Sequence, residues 1–426
     1  MKDYLKKLPK KILGLIDLVQ QTASLEKINA YLVGGFVRDL LLGVPNLDLD
    51  IVVEGDGISF SEKLAGRLKA KLIRHKRFGT ATVVLTPHRK IDIASARQES
   101  YPHPGQLPQV RSGSLKDDLF RRDFTINAMA LSLSEEDFAR LIDYFGGRQD
   151  LKHKKIRVLH DASFLDDPTR ILRAIRFEQR YGFRIEPRTF GCLKQAVKLH
   201  MLEKVQPHRL RDDLILVLKE EHPLKEIRRL NSLVGFKFIS PRLKLDKRTY
   251  ALLGSLEKNI KWFEKVHPQR RALDRWLIFF LGLTDSISLN ETRRILRRFA
   301  FRKGEAKRIY SCRRIKPRHL KGLQKKNVLP SGIFGLLEPL SYEAILFLKA
   351  KYKNIFLQKH IEEFLRVYNH IRILTCGDDL RQRGVRPGPA YQKIFSRLLK
   401  ARLDGLISTK EEELRLVERL IPRINP

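Results

Sequence analysis

Cysteine is scarce in this chain, and the three that occur form no pair. Cys192, Cys312 and Cys376 stand far apart and build no Cys-x-x-Cys motif. A disulfide framework and a zinc site of the ribbon or finger type are therefore not expected, and the pattern suits a reducing cytoplasm. Acidic residues are also in deficit: 48 Asp plus Glu face 85 Lys plus Arg across 426 residues, a net charge of +37. No apolar run approaches the roughly 20 residues that span a bilayer, so no membrane association through a spanning helix is expected. The first twenty residues, MKDYLKKLPKKILGLIDLVQ, lack an uninterrupted apolar core and a small-residue cleavage site, and read as an amphipathic helix instead of a signal peptide. Internal repeats, low-complexity tracts and aromatic-rich RNA-recognition signatures are missing as well.

What is present is positive charge, dispersed along helical stretches such as RRILRRFAFRKGEAKR (293–308). Such an excess predicts a polyanionic partner met by a broad face, without choosing between RNA, DNA and an anionic membrane. The length allows two to four domains. Residues 28 to about 145 alternate strand-like and helix-like segments, with strands expected at 30–33, 47–53, 70–74, 80–86 and 90–94 and helices at 36–42, 58–69 and 123–131. After Gly146-Gly147, a candidate hinge, amphipathic helices dominate. Breaks marked by Pro or Gly fall at 221–223, 240–242, 316–318, 329–332 and 384–389.

The densest chemistry lies in GGFVRDLLLGVPNLDLD (34–50). A glycine pair after the short strand Tyr31-Leu32-Val33 lets backbone approach a phosphate. Arg38 and Asp39 sit on a short apolar helix. Leu47, Leu49 and Ile51 alternate with Asp48 and Asp50, so a strand places both carboxylates on one face. Two adjacent carboxylates repel unless a cation lies between them, and Mg²⁺ prefers oxygen ligands. The bland alternative is a glycine turn followed by a solvated acidic strand edge.

Three further clusters follow. Asp92 in KIDIA points away from the core and is a candidate third carboxylate. In RRDFTINAMAL (121–131), Arg122 is placed to grip a triphosphate or base, Asp123 fits a helix cap equally well, and Asn127 suits backbone or ribose. In LDDPTRILRAIRFEQRYGF (165–183), Pro168 suits a first helical turn with Asp166 or Asp167 as cap. Arg170, Arg173 and Arg176 form a stripe opposite Ile171, Leu172 and Ile175.

Together GGFVRDLLLG with DLD, RRDFTINA and DDPTRILRAIRF resemble the class II CCA-adding tRNA nucleotidyltransferases and bacterial poly(A) polymerases, within the polymerase-beta-like nucleotidyltransferase superfamily. The match is specific over residues 28–220, with a weaker echo at 377–409. The resemblance implies an α+β chain, with a nucleotidyltransferase head built on a mixed sheet (1–148). An all-helical neck for base recognition (149–220), a body (221–372) and an RNA-binding tail (373–426) would follow. It implies Mg²⁺ on Asp48 and Asp50, with Asp92 as a catalytic neighbour, and Gly35, Arg38 and Arg122 on phosphates or ribose. Asp167 and Arg170 would read the base, and Arg173 and Arg176 would continue toward the phosphates. A carboxylate accepts from the exocyclic amine of cytosine or adenine while a guanidinium donates to the ring nitrogen, and uracil and guanine mismatch both groups.

The implied reaction is template-independent addition of CMP, AMP or both to the 3′ end of tRNA, from CTP or ATP, with loss of pyrophosphate. No side-chain nucleophile is needed, and none is arranged in a triad pattern. Departures are Asp166 where the family usually has Glu, His208 where a glutamate commonly precedes the neck arginine, and a loop (SARQESYPHPGQLPQV) closer to variants that divide CC and A addition. A poly(A) polymerase is the enzymatic alternative, although IRHKRFGTATVV (73–84) is closer to the CCA type. A non-catalytic RNA-binding protein is the other, opposed by the intact Asp48/Asp50 pair.

Overall fold

The computed structural model describes residues 2–45, 48–86, 89–267, 269–315 and 320–424. Leu47 and the break at 316–318 therefore lie outside the described residues. The chain is mixed α+β and forms two compact units, one of residues 1–217 with 225–238 and one of residues 218–224 with 239–426.

The first unit is organised by a seven-stranded sheet with β1 Asn29–Val33, β2 Leu49–Glu54, β3 Lys71–His75, β4 Thr80–Thr86, β5 Arg89–Ser95, β8 Ala130–Ser132 and β9 Leu141–Ile142, ordered β3-β4-β5-β2-β1-β8-β9. Only β2 and β5 run parallel; the other neighbours are antiparallel. β-Branched and aliphatic residues alternate along these strands and fit a pleated, half-buried surface. Helices Lys10–Glu26 and Gly57–Leu68 pack together on this unit, Arg67 donating to the Thr22 hydroxyl at 3.0 Å. Asp56 caps the second helix by accepting from the amides of Ile58 and Ser59. Val33, Val52, Leu115 and Leu119 join Ala128 and Ala130 in a further buried cluster.

The expected strands and the helices near 36–42 and 58–69 form, within two residues of their expected ends. The expected helix 123–131 does not. Thr125–Asn127 make one 3₁₀ turn and Ala130–Ser132 become β8, paired to β1. Every residue from 123 to 133 is buried, and a short apolar run carries no period that separates a buried strand from a buried helix. The polar segment after β5 folds as a ribbon, β6 Arg97–Ser100 against β7 Gln109–Ser112. Gly146-Gly147 lies inside the first unit; a Cβ on Gly147 would stand 2.2 Å from the Thr125 carbonyl oxygen, so this glycine serves close packing. Pro330 opens helix Pro330–Leu337 instead of breaking one.

The second unit is helical. Helix Arg275–Leu283 is almost wholly buried and packs against Lys247–Val266 and Tyr342–Lys351. A separate apolar cluster of Leu380, Val385, Ile394, Leu398 and Val417 holds the last helices together. There the fully buried Glu413 carboxylate accepts from the amides of Leu374 and Thr375 and pairs with Arg402 at 2.8 Å. No single described helix is long and apolar enough to cross a membrane; Pro330–Leu337 and Tyr342–Lys351 reach that length only together, bent by 110°.

Candidate active site

The parallel register of β2 on β5 sets Asp50 directly beside Asp92, and β4 places Thr82 beside Asp92 on its other side. Thr82 donates to Asp92 Oδ1 at 2.6 Å, and Lys90 pairs with Oδ2. Asp48 is exposed, just ahead of β2. Burial pushes the Asp50 carboxyl up to about 6, and Asp92 and Asp48 push the same way against the pull of Arg122 and Lys90. A carboxylate whose ionisation is suppressed by burial and by like charges gains most from a cation. Among the described residues no group of three or more His, Cys, Asp or Glu is arranged to hold a metal ion.

One wall of the cleft is built around Gly34 and Arg122. Gly34 has φ +67°, a conformation that favours glycine, and a Cβ there would stand 2.6 Å from Arg122 Nη1 and displace that guanidinium. Gly35 opens helix Gly35–Leu42 on the cleft wall. Arg122 is fixed by the fully buried Asp118, 2.8 Å from its Nη2, and Arg121 shares that carboxylate at 2.6 Å. Burial alone would raise the Asp118 carboxyl; Arg122 and Arg121 outweigh it and hold the group below the usual range. Arg38 is buried. It donates twice to Asp39 at 2.8 and 2.9 Å and once to Asn127 Oδ1 at 2.6 Å, with its guanidinium 5.1 and 5.0 Å from the Phe177 and Tyr181 rings. It braces the cleft wall at least as much as it faces the cleft.

Another wall of the cleft comes from the turn before helix Arg170–Tyr181. Asp167 Oδ1 accepts from the Thr169 amide and hydroxyl at 3.1 and 2.8 Å and pairs with Arg209 Nη2 at 2.8 Å. Arg170 is buried and donates to the Ser163 hydroxyl at 2.6 Å and to the Arg121 carbonyl at 2.7 Å. Arg173 is paired at 2.6 Å with Asp123, which also accepts from the Phe124 amide and the Asn127 side chain at 2.8 Å. Asp123 thus ties this helix to the segment behind Arg122 and caps no α-helix. Arg176 stacks 4.8 Å from the Phe177 ring.

One cleft of ≈ 530 Å³ gathers Gly35, Arg38, Asp50, Arg122, Asp167, Arg170, Arg173 and Arg176. Asp92 lines an adjoining hollow of ≈ 350 Å³ whose wall also contains Asp50 and Arg122. Asp48 lines neither. Sequence reasoning missed several contributors. The β6–β7 ribbon brings Glu99 and Tyr101 to the cleft, where Glu99 Oε1 pairs with Arg97 at 2.7 Å and Arg121 at 3.2 Å, and the Tyr101 hydroxyl donates to Oε2 at 2.9 Å. Arg209 arrives from helix Pro207–Leu218, and Asp118 works from beneath. Each is an ordinary polar residue whose role depends on a distant partner.

Comparison with known proteins bears on the family of the chain. Residues 30–157 match the poly(A) polymerase head domain. The A-adding tRNA nucleotidyltransferase of Geobacter sulfurreducens is 39% identical over 97% of this chain. That of Aquifex aeolicus is 36% identical over 80%. The chain spans about half the length of these relatives or less, 47% and 40%. The A-adding tRNA nucleotidyltransferase of Halalkalibacterium halodurans is 32% identical, with 97% of this chain and 94% of the relative covered. Among solved structures, the Thermotoga maritima CCA-adding enzyme complexed with tRNA superposes with a TM-score of 0.68 at 35% identity, covering 99% of this chain and 98% of that one. A CCA-adding enzyme with ATP does so with a TM-score of 0.70 at 34% identity, covering 99% of this chain and 97% of that one. Nucleotidyltransferases of this family generally use divalent metal ions, which the carboxylate row fits. By its fold, its cleft and a relative matched along nearly its whole length, the chain belongs to the tRNA nucleotidyltransferase family of A-adding and CCA-adding enzymes.

Proposed function

We propose that this chain transfers AMP from ATP to the 3′ end of a tRNA that already ends in CC, releasing pyrophosphate. The observation that carries the reading is the convergence of Asp50, an arginine held by a buried carboxylate, and Asp167 with Arg170 on one ≈ 530 Å³ cleft, with Asp92 beside Asp50 in the adjoining hollow. Preference for AMP over CMP is supported by the three relatives above, all named A-adding. Asp167 and Arg170 present the same pattern to adenine and cytosine.

In this reading residues 1–148 carry the chemistry and 149–220 the base recognition, while the body at 221–372 and the tail at 373–426 hold tRNA. Mg²⁺ would be held by Asp48 and Asp50; when bound it supplies charge neutralisation at the triphosphate and lowers the cost of ionising the primer hydroxyl. The 3′-hydroxyl oxygen forms a bond to the α-phosphorus, the bond from that phosphorus to the β-phosphate bridging oxygen breaks, and the electron pair leaves with pyrophosphate. Asp92, beside Asp50 on the neighbouring strand, would take the hydroxyl proton. Arg122 and the Gly34-Gly35 backbone face the β- and γ-phosphates, with Arg173 and Arg176 beyond. In this reading Asp167 accepts from the adenine amine, and Arg170, hydrogen-bonded to the Ser163 hydroxyl and the Arg121 carbonyl, donates to the ring nitrogen.

The deciding assay uses the purified chain with tRNAs ending before the first C, after the second C, or complete, each with ATP, CTP or both. One AMP on the CC-ending tRNA and none on the complete one is expected. Long adenylate tracts on unstructured RNA would replace this reading with poly(A) synthesis.

A further inference from the structure

Two cations stand beside the acidic row, and they differ in what they hold. Arg122 is tied to the fully buried Asp118 at 2.8 Å. Lys90 belongs to the row itself. It lies on β5 two residues before Asp92, and in a strand that spacing puts both side chains on one face, opposite the buried Ile91 and Ile93. Its ammonium pairs with Asp92 Oδ2 while Thr82 donates to Oδ1 at 2.6 Å, so both oxygens of that carboxylate are engaged. The register of β2 on β5 begins at Leu49 beside Ile91 and sets Asp50 beside Asp92. Asp48 stands one residue ahead of Leu49, as Lys90 stands one residue ahead of Ile91. The hydrogen bond to Asp92 first, and then the charges of Asp92, Asp48 and Asp50, favour the charged ammonium against the opposing effect of burial. One lysine therefore answers to three carboxylates.

An isolated exposed ion pair, such as Arg74 with Glu62 at 2.7 Å, contributes little, because water screens it. The setting of Lys90 is different. Three carboxylates gathered at one end of two strands repel one another until positive charge reaches them. Lys90 supplies part of that charge without any bound ion. The same charge opposes an incoming divalent ion, which is drawn by the very carboxylates that hold the lysine. Lysine fits such a place better than arginine would. Its charge is compact and rides on a flexible four-carbon stem, whereas a guanidinium fork locks onto a carboxylate through two bonds. The Lys90 side chain is 52% exposed, which leaves it room to swing aside.

We propose that Lys90 is a resident counter-ion of the carboxylate row, which holds Asp92 and competes with the divalent ion, and so sets the ion concentration at which the row loads. The proposal rests on the reading above for the placement of that ion on Asp48 and Asp50.

The test is Mn²⁺ binding to the full chain without nucleotide, followed through the electron paramagnetic resonance signal of the free ion. Wild type is compared with Lys90→Gln, Lys90→Arg and Asp50→Ala. Lys90→Gln should bind Mn²⁺ about three- to tenfold more tightly, the effect of removing one part-exposed charge that acts on a divalent ion through screening solvent. Lys90→Arg keeps the charge and should stay within about twofold of the wild type. The Mg²⁺ concentration that gives half-maximal nucleotide transfer should fall in Lys90→Gln by the same factor as the Mn²⁺ dissociation constant. In an Asp92→Asn background the lysine loses its hold on the row, and adding Lys90→Gln should change Mn²⁺ affinity by less than about twofold. Melting temperatures check that each variant is folded. Unchanged or weaker Mn²⁺ binding in Lys90→Gln would overturn the proposal. An equal gain in the Asp92→Asn background would overturn it too, by showing an effect of net surface charge alone. If Asp50→Ala binds Mn²⁺ as tightly as the wild type, the ion lies elsewhere, and its placement on the row and this proposal fall together. If Asp50→Ala loses Mn²⁺ while Lys90→Gln matches the wild type, only the role of the lysine fails.

Discussion

Two sets of arginines, one in each compact unit, are held by different means. In the first unit several cleft arginines are anchored by carboxylates: Arg122 by Asp118, Arg38 by Asp39, Arg173 by Asp123, and Arg209 by Asp167. In the second, Arg270 and Arg366 are restrained by aromatic rings and face no acid among the described residues. A carboxylate partner fixes a guanidinium in direction and part-neutralises it, which suits a reaction whose atoms must be placed closely. A ring partner fixes position and leaves the charge undiminished, which suits a sequence-blind grip on phosphates. The difference separates accuracy from adhesion, and it can be broken one side at a time.

The largest effect is expected at the acidic row. Asp50→Ala should reduce nucleotide transfer on the order of a thousandfold or more, because a held divalent ion supplies several kcal/mol of charge stabilisation. Chelation of divalent ions should do the same. Affinity for tRNA should change less than twofold, since those contacts lie elsewhere; a filter-binding or fluorescence titration checks it. Full activity in Asp50→Ala would remove the carboxylate row from the chemistry.

Next comes the anchor beneath Arg122. Asp118→Ala leaves two guanidiniums without their buried carboxylate, a loss of roughly 3–5 kcal/mol for a broken buried pair. Both the melting temperature and the rate should fall. Arg122→Lys should be gentler on stability and still slow transfer. If Asp118→Ala keeps the wild-type rate at a temperature where it is folded, Arg122 does not depend on its anchor.

A smaller effect is expected in base choice. Asp167→Ala or Arg209→Ala should lower discrimination of ATP against GTP by about 10- to 100-fold, the worth of one charged hydrogen bond of roughly 1.5–3 kcal/mol. Arg209→Lys should recover part of it. Competition assays with paired nucleotides read this directly, and unchanged selectivity in Arg209→Ala would make its contact with Asp167 structural only.

How far the sequence revealed this arrangement varies by element. The strands carrying Asp50 and Asp92 were legible because aliphatics alternate with polar residues, and the parallel register then brings two carboxylates 42 positions apart into one row. Helix Arg170–Tyr181 was legible from its periodic arginines. Segment 123–131 misled because it is buried on all sides and has no polar face to reveal a period. The β6–β7 ribbon stayed hidden because its residues are polar and its pairing spans a proline-rich loop. Asp118, Glu99 and Arg209 gave no signal, since their meaning lies in partners that only folding supplies. Within the glycine pair, Gly34 has a φ of +67° and lies against Arg122, a constraint that residue spacing does not reveal.

The smallest effect is a pH dependence, and it tests the anchored side of the comparison most finely. Asp213, on helix Pro207–Leu218, has its carboxyl pushed up to about 6 by burial first and by Asp167, against Arg173, a Thr169 hydrogen bond and Arg176. Its folded value therefore lies above the ordinary 3.8. The folded state binds this proton more tightly than the unfolded state does. Stability from this group is greatest below about pH 4, declines as pH rises to about 6, and is flat above. Asp213→Asn removes the titration and keeps a hydrogen-bond acceptor for Thr169. Relative to wild type it should gain about 1–3 kcal/mol at pH 7 and nothing near pH 4, with the difference developing between those values. Denaturant unfolding at pH 4, 5, 6 and 7 measures it. Asp50 shifts in the same direction, but it is common to both proteins and cancels in the comparison. A constant offset at all four pH values would mean that Asp213 acts through packing alone, and that the carboxylate charge beside Arg173 is already matched at neutral pH.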